Sequence, residues 1–288
     1  MDESRLAKWR WRIQRLFDRN DFSRYFPGDP QDRLSPQSCR GPVLNVFRRV
    51  RDNIGDAACP PAWYFFRGVK TLDLRRCSAS DIPRDANVII GGGGLITERY
   101  YDRLRMLRQC SRKAVLWGIG ANHTDRRTPS YPDFLAGFDL AGVRDRGCGF
   151  DWVPCPSCML KELDRPRQAT REMVVYEHKH AAIDVPGVPR LSNTEWRISR
   201  VLDFLGSAQV VLTSSYHGVY WSVLLRRKVV AVNPFSSKFF HFPYPVPIAN
   251  QADFGSRIKE ARVYPEALGE CREANRRFAR RVLDLFCS

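Results

Sequence analysis

Residues 213 to 218, TSSYHG, place two hydroxyls, an imidazole and a glycine between two apolar runs. The first run is typical of a strand that ends at Ser214 and Ser215, and His217 opens the helical pattern that follows. Ligands of open parallel sheets bind at the carboxyl ends of the strands. The first turn of a helix also has unpaired N–H groups. We therefore predict a site that includes Ser214, Ser215 and His217; the alternative is a structural histidine.

A second polar turn follows the first apolar strand pattern of the chain. It reads DNIGD, in which Asn53 tolerates unusual backbone angles, Gly55 permits close approach of the backbone and Asp56 can cap a helix. A helix that starts here offers free N–H groups to an anion or to a substrate oxygen. The same residues also fit a plain connection between a strand and a helix.

Residues 91 to 94 are four glycines between a predicted strand and a predicted helix. Their spacing differs from the G-x-G-x-x-G pattern of dinucleotide sites, so NAD is not predicted. The N–H groups of Gly92, Gly93 and Gly94 would lie bare and close together, as contact with a phosphate, carboxylate or sugar requires. A second such stretch, WGIGAN, ends at Asn122, which could line the same cleft or close a tight turn.

Seven basic side chains follow predicted strands and could bind an anion. Two lie in VRDRG, three in YEHKH and two in FSSKFFHF: Arg144, Arg146, His178, Lys179, His180, Lys238 and His241. Alternate residues of a strand share a face, so we expect Arg144 and Arg146 to point the same way, and arginine forks fit carboxylate or phosphate. The alternatives are a surface ion pair with Asp145 and ordinary surface loops.

The apolar patterns predict a parallel α/β fold in two units. Continuous apolar strands separated by helical patterns imply parallel sheets covered on both sides. Residues 161 to 171 are polar, and no apolar residue recurs in them at regular spacing. They divide the strand and helix patterns into two series. We predict two Rossmann-like domains that face each other across a cleft, over residues 42–165 and 166–288. A basic N-terminal helix and a connecting loop, residues 1–41, precede them.

Charge and cysteine content limit the partners and the compartment. The chain has 288 residues and a formal net charge of +16, which suits an anionic partner. Its nine cysteines are irregularly spaced and do not form a disulfide framework, so a reducing cytosol is expected. The spacing of Cys155 and Cys158 occurs in zinc sites, but no second pair follows, and we expect two structural thiols. No metal is predicted, because no cluster of carboxylates is visible.

The sequence predicts a cytoplasmic protein that is able to lie on a membrane surface. No apolar stretch reaches the roughly 18 residues that a membrane span needs. Arg and Trp crowd the N-terminus, where a signal peptide would be apolar. Residues 4 to 19 combine basic side chains with apolar ones at helical spacing. This pattern suits either a peripheral anchor on the anionic inner face of a membrane or a helix that docks on its own domain.

Five motifs follow one another along the chain: NIGD, IIGGGG, LWGIGAN, GVRDRG and TSSYHG. With these motifs in this order, the chain resembles the polysaccharide pyruvyl transferase family from about residue 43 to about residue 245. The resemblance implies a GT-B-like pair of Rossmann-like domains. It also implies transfer of the pyruvyl group of phosphoenolpyruvate to adjacent sugar hydroxyls, which forms a cyclic ketal on a bacterial surface glycan or exopolysaccharide. Many members have Arg where this chain has Ser215, and Gly-Asp-Pro where it reads VPCPS.

Carried over position by position, the resemblance covers several of these residues. The matches are Asn53, Gly55 and Asp56 to the first Gly-Asp turn, residues 91 to 94 to the glycine loop, Arg144 and Asp145 to the Arg-Asp strand end, and His217 to the histidine of Ser-x-x-His-Gly. His217 is then expected to be the general acid, and Asp56 to orient the acceptor hydroxyl or act as base. Arg144, Arg146 or Lys238 would hold the carboxylate and phosphate of the donor.

The expected partners are phosphoenolpyruvate as donor substrate and a saccharide acceptor, which could be lipid-linked. No cofactor and no nucleic acid partner are predicted. One alternative is a GT-B glycosyltransferase that uses a nucleotide-sugar donor in the same cleft. Another, prompted by the net charge, is a nonenzymatic binder of nucleic acid or anionic glycan. The unusual residues gather at strand ends rather than along one face, and this favours an enzyme.

Overall fold

The computed structural model describes residues 22–50, 52–125 and 127–288. The predicted helix at residues 4 to 19 lies outside the described residues. Within them, the strands form two sheets, and neighbouring strands of each sheet run parallel. The prediction of an α/β fold with two parallel sheets is confirmed. The cleft between two domains and the bounds of those domains stay predictions.

The first sheet has the strand order β2-β1-β3-β4-β5-β6. Its strands are β1 Val43–Phe47, β2 Lys70–Asp73, β3 Asn87–Ile96, β4 Lys113–Ala121, β5 Leu140–Val143 and β6 Asp151–Trp152. The central strands β3 and β4 are almost wholly buried. Burial on both faces explains why each of them reads as a nearly continuous apolar run.

Both central strands extend beyond the point that the sequence predicted. The glycines at residues 91 to 94 were expected to leave the sheet as a loop, yet β3 continues through them to Ile96. Strand β4 likewise includes two glycines and ends at Ala121. Close packing of the two strands explains this difference, because a Cβ at Gly91 would collide with the carbonyl oxygen of Trp117. The carboxyl edge of the sheet therefore presents bare backbone.

The second sheet has the strand order β11-β10-β9-β7-β8. Its strands are β7 Arg171–Glu177, β8 Arg190–Ser192, β9 Ala208–Thr213, β10 Lys228–Val232 and β11 Ile248–Ala249. The apolar pattern predicted β7, β9 and β10. It missed β8 and β11, which have three and two residues and are too short to show a period.

The α-helices of the described residues are α1 Ile54–Ala57, α2 Glu98–Cys110, α3 Ile198–Gly206, α4 Tyr216–Leu224, α5 Phe254–Arg257 and α6 Ala267–Cys287. Every residue of α4 is buried, which agrees with a helix that is apolar on all sides. Across residues 22–50, 52–125 and 127–288, no helix has both the length and the apolar character that crossing a bilayer requires.

The C-terminal helix α6 packs against the first sheet. The ring centroid of Phe278 lies 5.2 Å from that of Trp117, and the indole Nε1 of Trp117 donates a 2.8 Å hydrogen bond to Asn275 Oδ1. Near the end of α6, Phe286 lies 6.3 Å from the ring of Phe66. One hydrophobic core contains residues of both sheets and of α6. The last helix of the chain thus completes the core begun by its first strands.

Candidate functional site

A pocket of about 180 Å³ lies among segments that follow strands of both sheets. Most of the residues that the sequence singled out line this pocket. They are Asn53, Asp56, Gly92, Gly93, Gly94, Asn122, Arg144, His178, Lys179, Ser215, His217 and Lys238. The fold thus brings to one place residues that are up to 185 positions apart in the chain (Asn53 to Lys238, 238 − 53). Their chemical roles stay predictions.

Several lining residues were missed by the sequence analysis. Arg48 follows β1, and Tyr216 and Phe235 complete the wall on the side of the second sheet, whereas the lining residue His180 belongs to the YEHKH motif that the sequence singled out. Tyr216 and Phe235 look like ordinary core aromatics in the sequence. Arg48 belongs to the basic stretch RRVR directly after β1, and its position at a strand end was a usable signal.

Acidic side chains neutralise part of the positive charge at the pocket. The guanidinium of Arg48 lies 3.7 Å from a carboxylate oxygen of Asp56. The ammonium group of Lys179 lies 2.5 Å from a carboxylate oxygen of Asp52. These pairs hold the α1 turn against both sheets, since Lys179 follows β7 and Asp52 precedes α1. They leave two other cations of the pocket for a bound anion.

Arg144 is the first of these cations. Its side chain is 2% exposed, and its Nε has no hydrogen-bond partner among the described residues. The guanidinium carbon lies 4.0 Å above the ring of Tyr216, and Nη2 lies 3.5 Å from the carbonyl oxygen of Ala121. Within the described part of the chain, no carboxylate oxygen lies within 4.0 Å of it. The charge of the buried Asp145 favours the protonated guanidinium, but no carboxylate pairs with it directly, and a bound anion would supply the missing acceptor.

Lys238 is the second cation. It lies in a short 3₁₀ turn, Ser237–Phe239, and its Nζ is 4.6 Å from the ring centroid of Phe235. Burial lowers the pKa of Lys238 to about 8, and the positive charges of Arg144 and Arg48 act in the same direction. At neutral pH most of the population is still protonated. The surroundings thus disfavour this charge, and a bound anion would stabilise it.

His178 differs from the cations because it is neutral at physiological pH. Burial and the charge of Lys238 lower its pKa to about 4. Its backbone N–H donates a 2.9 Å hydrogen bond to Ser214 Oγ, and its ring lies 4.9 Å from that of Phe235. A neutral imidazole at the pocket wall can donate or accept a hydrogen bond but adds no charge.

His217 lies in the first turn of α4 and is 5% exposed. Its Nε2 is 3.3 Å from Cys59 Sγ and 3.6 Å from Cys155 Sγ, and its ring centroid is 5.1 Å from that of Trp221. On the other side, Nδ1 lies so close to Gly55 that any Cβ there would collide with the imidazole. The imidazole is therefore fixed between two thiols and a glycine backbone.

The two thiols beside His217 were not predicted as part of the site. Cys59 Sγ and Cys155 Sγ are 3.5 Å apart, although the residues are 96 positions apart in the chain. Burial raises the pKa of Cys59, and the neighbouring Cys155 raises it further. Burial acts against ionisation of Cys155 as well, but hydrogen bonds with Cys59 and His217 hold its pKa well below the usual range. The sequence marked Cys155 only through the CPSC spacing, and Cys59 carried no signal.

Four predicted residues do not line this pocket, and one of them, Gly55, lies directly against the imidazole of His217. The Ser214 hydroxyl donates a 2.5 Å hydrogen bond to the carbonyl oxygen of Ala181 and accepts one from the backbone N–H of His178, so this side chain fixes the turn that follows β7. His241 is exposed to solvent. Arg146 lies 3.7 Å from Glu270 and 4.0 Å above the ring of Trp152, beside a separate surface depression.

The expectation that Arg144 and Arg146 point the same way is wrong. Strand β5 ends at Val143, so the alternation of faces does not extend to the two arginines. Arg144 is directed at Tyr216 and Arg146 at Trp152. This separation leaves Arg144 as the arginine that is both buried and at the pocket.

A family model described as polysaccharide pyruvyl transferase matches residues 39–237. Every lining residue of the pocket except Lys238 falls inside that range. No curated protein matches the chain. Among solved structures, the chain is similar to an uncharacterised protein of Klebsiella pneumoniae, with 14% identity and a TM-score of 0.44, over 69% of this chain and 84% of that one.

Proposed function

Because the chain belongs to the polysaccharide pyruvyl transferase family, which indicates pyruvyl transfer onto polysaccharide, we propose that its donor is phosphoenolpyruvate. The acceptor is a sugar with two adjacent hydroxyls in a bacterial surface glycan or exopolysaccharide, and the product is a cyclic pyruvyl ketal. The acceptor can be lipid-linked, which would bring the protein to the cytoplasmic face of the membrane as a peripheral enzyme. The basic residues 4 to 19 suit such a contact.

One observation carries this proposal: two cations without a carboxylate partner and a glycine-lined backbone share a small pocket with an imidazole. Arg144 and Lys238 supply two positive charges, as a donor with both a carboxylate and a phosphate requires. The backbone at residues 92 to 94 has no side chain to exclude an anion. The volume of about 180 Å³ is below the range of about 300–1,000 Å³ that is typical of sites for drug-sized ligands, and this favours a small donor over a nucleotide sugar.

The proposed reaction begins with proton transfer to the methylene carbon of phosphoenolpyruvate. The neighbouring carbon becomes cation-like, and one sugar hydroxyl attacks it and forms the first C–O bond. The C–O bond to phosphate then breaks, inorganic phosphate leaves, and the second hydroxyl closes the ketal ring. We assign His217 as the general acid for the methylene carbon or the leaving phosphate. Asp56, at the same pocket, orients the acceptor hydroxyl or takes its proton.

The donor is tested by measuring which compound stabilises the protein against heat. Phosphoenolpyruvate should raise Tm, whereas UDP- and GDP-sugars should leave it unchanged. With a sugar acceptor, phosphate release should match the formation of a pyruvyl ketal mole for mole. A rise in Tm with a nucleotide sugar and none with phosphoenolpyruvate would instead establish the glycosyltransferase alternative.

The activity should depend on pH through Lys238. Its pKa of about 8 means that the ammonium form dominates below pH 8 and is lost above it. Since kcat/KM reports ionisations of the free enzyme, kcat/KM for phosphoenolpyruvate should fall about tenfold per pH unit above pH 8. In Lys238→Met, kcat/KM should already be low at pH 7 and should not show this decline. Lys179→Met serves as the control, because Lys179 is paired with Asp52; a decline that persists in Lys238→Met would rule out this assignment.

Gly55→Ala should reduce turnover while the protein stays folded. The new Cβ collides with the imidazole of His217, so that the ring or the α1 backbone must shift. A displacement of about 1 Å can lower a rate by about 10²-fold, and we expect a fall in kcat of that order. Gly137→Ala is the matched control, since no atom lies within 4 Å of the Cβ that it adds. Equal kcat values for both variants would show that the position of His217 is unimportant.

A further inference from the structure

Three side chains that can bind a metal ion meet beneath the pocket. Cys59 Sγ lies 3.5 Å from Cys155 Sγ, and His217 Nε2 lies 3.3 Å from Cys59 Sγ and 3.6 Å from Cys155 Sγ. All three residues are buried. Each contact joins two atoms that can act as metal ligands. Among residues 22–50, 52–125 and 127–288, no other group of three or more such side chains is close enough to share one ion.

The distances fit one tetrahedral ion. With Zn–S bonds of about 2.3 Å and a Zn–N bond of about 2.0–2.1 Å, tetrahedral angles separate the ligand atoms by about 3.5–3.8 Å. The observed separations are within a few tenths of an ångström of these values. We propose that Cys59, Cys155 and His217 form a zinc-binding site that supplies three ligands and leaves the fourth coordination position to water or to an oxygen of a bound molecule.

The charge of the group also suits a divalent ion. Zinc binding to two thiols and a neutral imidazole releases two protons, and the resulting centre of two thiolates and Zn²⁺ has no net charge. A neutral centre avoids the cost of an unpaired charge in a buried place. No oxidation or reduction is involved. Thiolate and imidazole are ligands that zinc prefers over the hard cations Mg²⁺ and Ca²⁺.

Neighbouring groups hold the three ligands in position. Cys155 Sγ lies 3.2 Å from Ser157 Oγ, and the carbonyl oxygen of Cys155 accepts a 2.9 Å hydrogen bond from the hydroxyl of Tyr220. The thiol of Cys59 donates a 3.1 Å hydrogen bond to the carbonyl oxygen of Gly55, and zinc would take the place of this proton. Coordination through Nε2 would leave the proton of the imidazole on Nδ1, on the side of Gly55. A ring bound in this way has no acidic proton on Nε2, so the assignment of His217 as general acid applies to the zinc-free protein.

The open position lies toward the pocket. A Cβ at Gly93 would be 3.8 Å from Cys59 Sγ and 3.8 Å from a carboxylate oxygen of Asp56. Gly93 lines the pocket, so only bare backbone separates Cys59 from it on this side. A site with three protein ligands and one open position is the arrangement that zinc has where it contacts substrate or water.

The structure also separates this group from the CPSC pair. Cys158 follows Cys155 at zinc-ligand spacing, but its sulfur accepts a hydrogen bond from Asn275 Nδ2 at 3.3 Å. Cys158 therefore belongs to the packing between the 3₁₀ turn Pro156–Met159 and α6. The partner of Cys155 is Cys59, which no local spacing could reveal.

The test measures zinc binding on the full-length protein under reducing conditions and without chelators. The four partly exposed cysteines, Cys39, Cys110, Cys148 and Cys287, are first replaced by serine so that surface thiols do not bind the ion. We expect one zinc per chain with a Kd of about 10⁻⁹ M or below in competition with a chelator. X-ray absorption at the zinc edge should show two sulfur neighbours at about 2.3 Å and lighter atoms at about 2.0–2.1 Å.

Variants in the same background identify the ligands. Cys59→Ser and Cys155→Ser should each weaken zinc binding by at least about 100-fold, beyond the 10–100-fold typical of groups that only support a ligand. Cys158→Ser and Cys271→Ser are the controls, as both are buried thiols outside the group, and they should change the Kd less than about threefold. Cobalt can also be bound to the protein that carries none of these ligand substitutions, and its absorption then reports thiolate ligation. The test therefore stays decisive even if Cys59→Ser or Cys155→Ser fails to fold.

Three results would overturn the proposal: no stoichiometric zinc, a zinc shell without two sulfurs, or equal losses in Cys155→Ser and Cys158→Ser. The inference does not depend on the proposed function. Zinc at this site in a protein that transfers no pyruvyl group would sustain the inference and defeat the proposed function. Pyruvyl transfer by a protein without zinc affinity would sustain the proposed function and defeat the zinc inference.

Discussion

Replacing His217 by alanine is expected to lower pyruvyl transfer by about 10²–10⁴-fold, the contribution of a positioned general acid. The imidazole is fixed at the pocket by Trp221 and by the close approach of Gly55, and water that replaced it would have no comparable position. The measurement is ketal formation with saturating phosphoenolpyruvate, together with a thermal unfolding curve that shows the variant is folded.

His241→Ala is the matched control for this variant. It removes an imidazole that the sequence also placed in the site, but that lies exposed and away from the pocket. Transfer by His241→Ala should stay within about twofold of the unsubstituted protein, since surface substitutions change little. Near-normal ketal formation by a folded His217→Ala protein would contradict the assigned role.

Replacing Arg144 by methionine should separate function from stability. The substitution removes the buried guanidinium and should lower kcat/KM for phosphoenolpyruvate by about 10²–10³-fold, as loss of a preorganised charge-stabilising donor does. The free protein should nevertheless unfold at the same Tm or a higher one. A buried cation without a carboxylate partner is costly, and an apolar side chain of similar length can replace it without that cost. Loss of both activity and stability would mean that Arg144 has a structural role.

Arg146→Met provides the comparison for Arg144. It removes an arginine of the same strand end, but one that pairs with Glu270 outside the pocket. Its kcat/KM should stay within about threefold of the unsubstituted value. Arg144→Lys is a further check, because lysine lacks the planar fork and should restore less than about a tenth of the activity. Similar losses in the two methionine variants would indicate a general effect of net charge.

The sequence predicted the sheets well because buried parallel strands leave a strong apolar pattern. Strands β1, β3, β4, β7, β9 and β10 were all recognisable as apolar runs. The pattern could not show where a strand ends when glycines follow it, and so residues 91 to 94 were predicted as a loop. Glycine is common in loops, but here it permits β3 and β4 to pack closely, and no local feature of the sequence distinguishes these cases.

Much of the pocket was predictable because ligands of parallel sheets gather at one edge, where the polar motifs of the sequence also fall. Contacts between distant parts of the chain were not predictable from the sequence. Cys59 and Cys155 meet at 3.5 Å across 96 residues, and neither residue has a neighbour in sequence that indicates the other. The different surroundings of Arg144 and Arg146 depend likewise on where β5 ends, a boundary that apolar periodicity locates only to within a few residues.

Helix α6 has a consequence for how the protein is made. Trp117, in the middle of the first sheet, is covered by Phe278 and donates its indole hydrogen bond to Asn275. While the ribosome is still adding the second sheet, Phe65 already stacks on Trp117, but the part of the surface that Phe278 covers stays exposed, although the strands around it are complete. The nascent chain therefore exposes part of an incomplete hydrophobic layer until Asn275 and Phe278 are added. Asn275 follows Trp117 by 158 residues (275 − 117). Chaperones that bind exposed aromatics would have their longest opportunity at this stage.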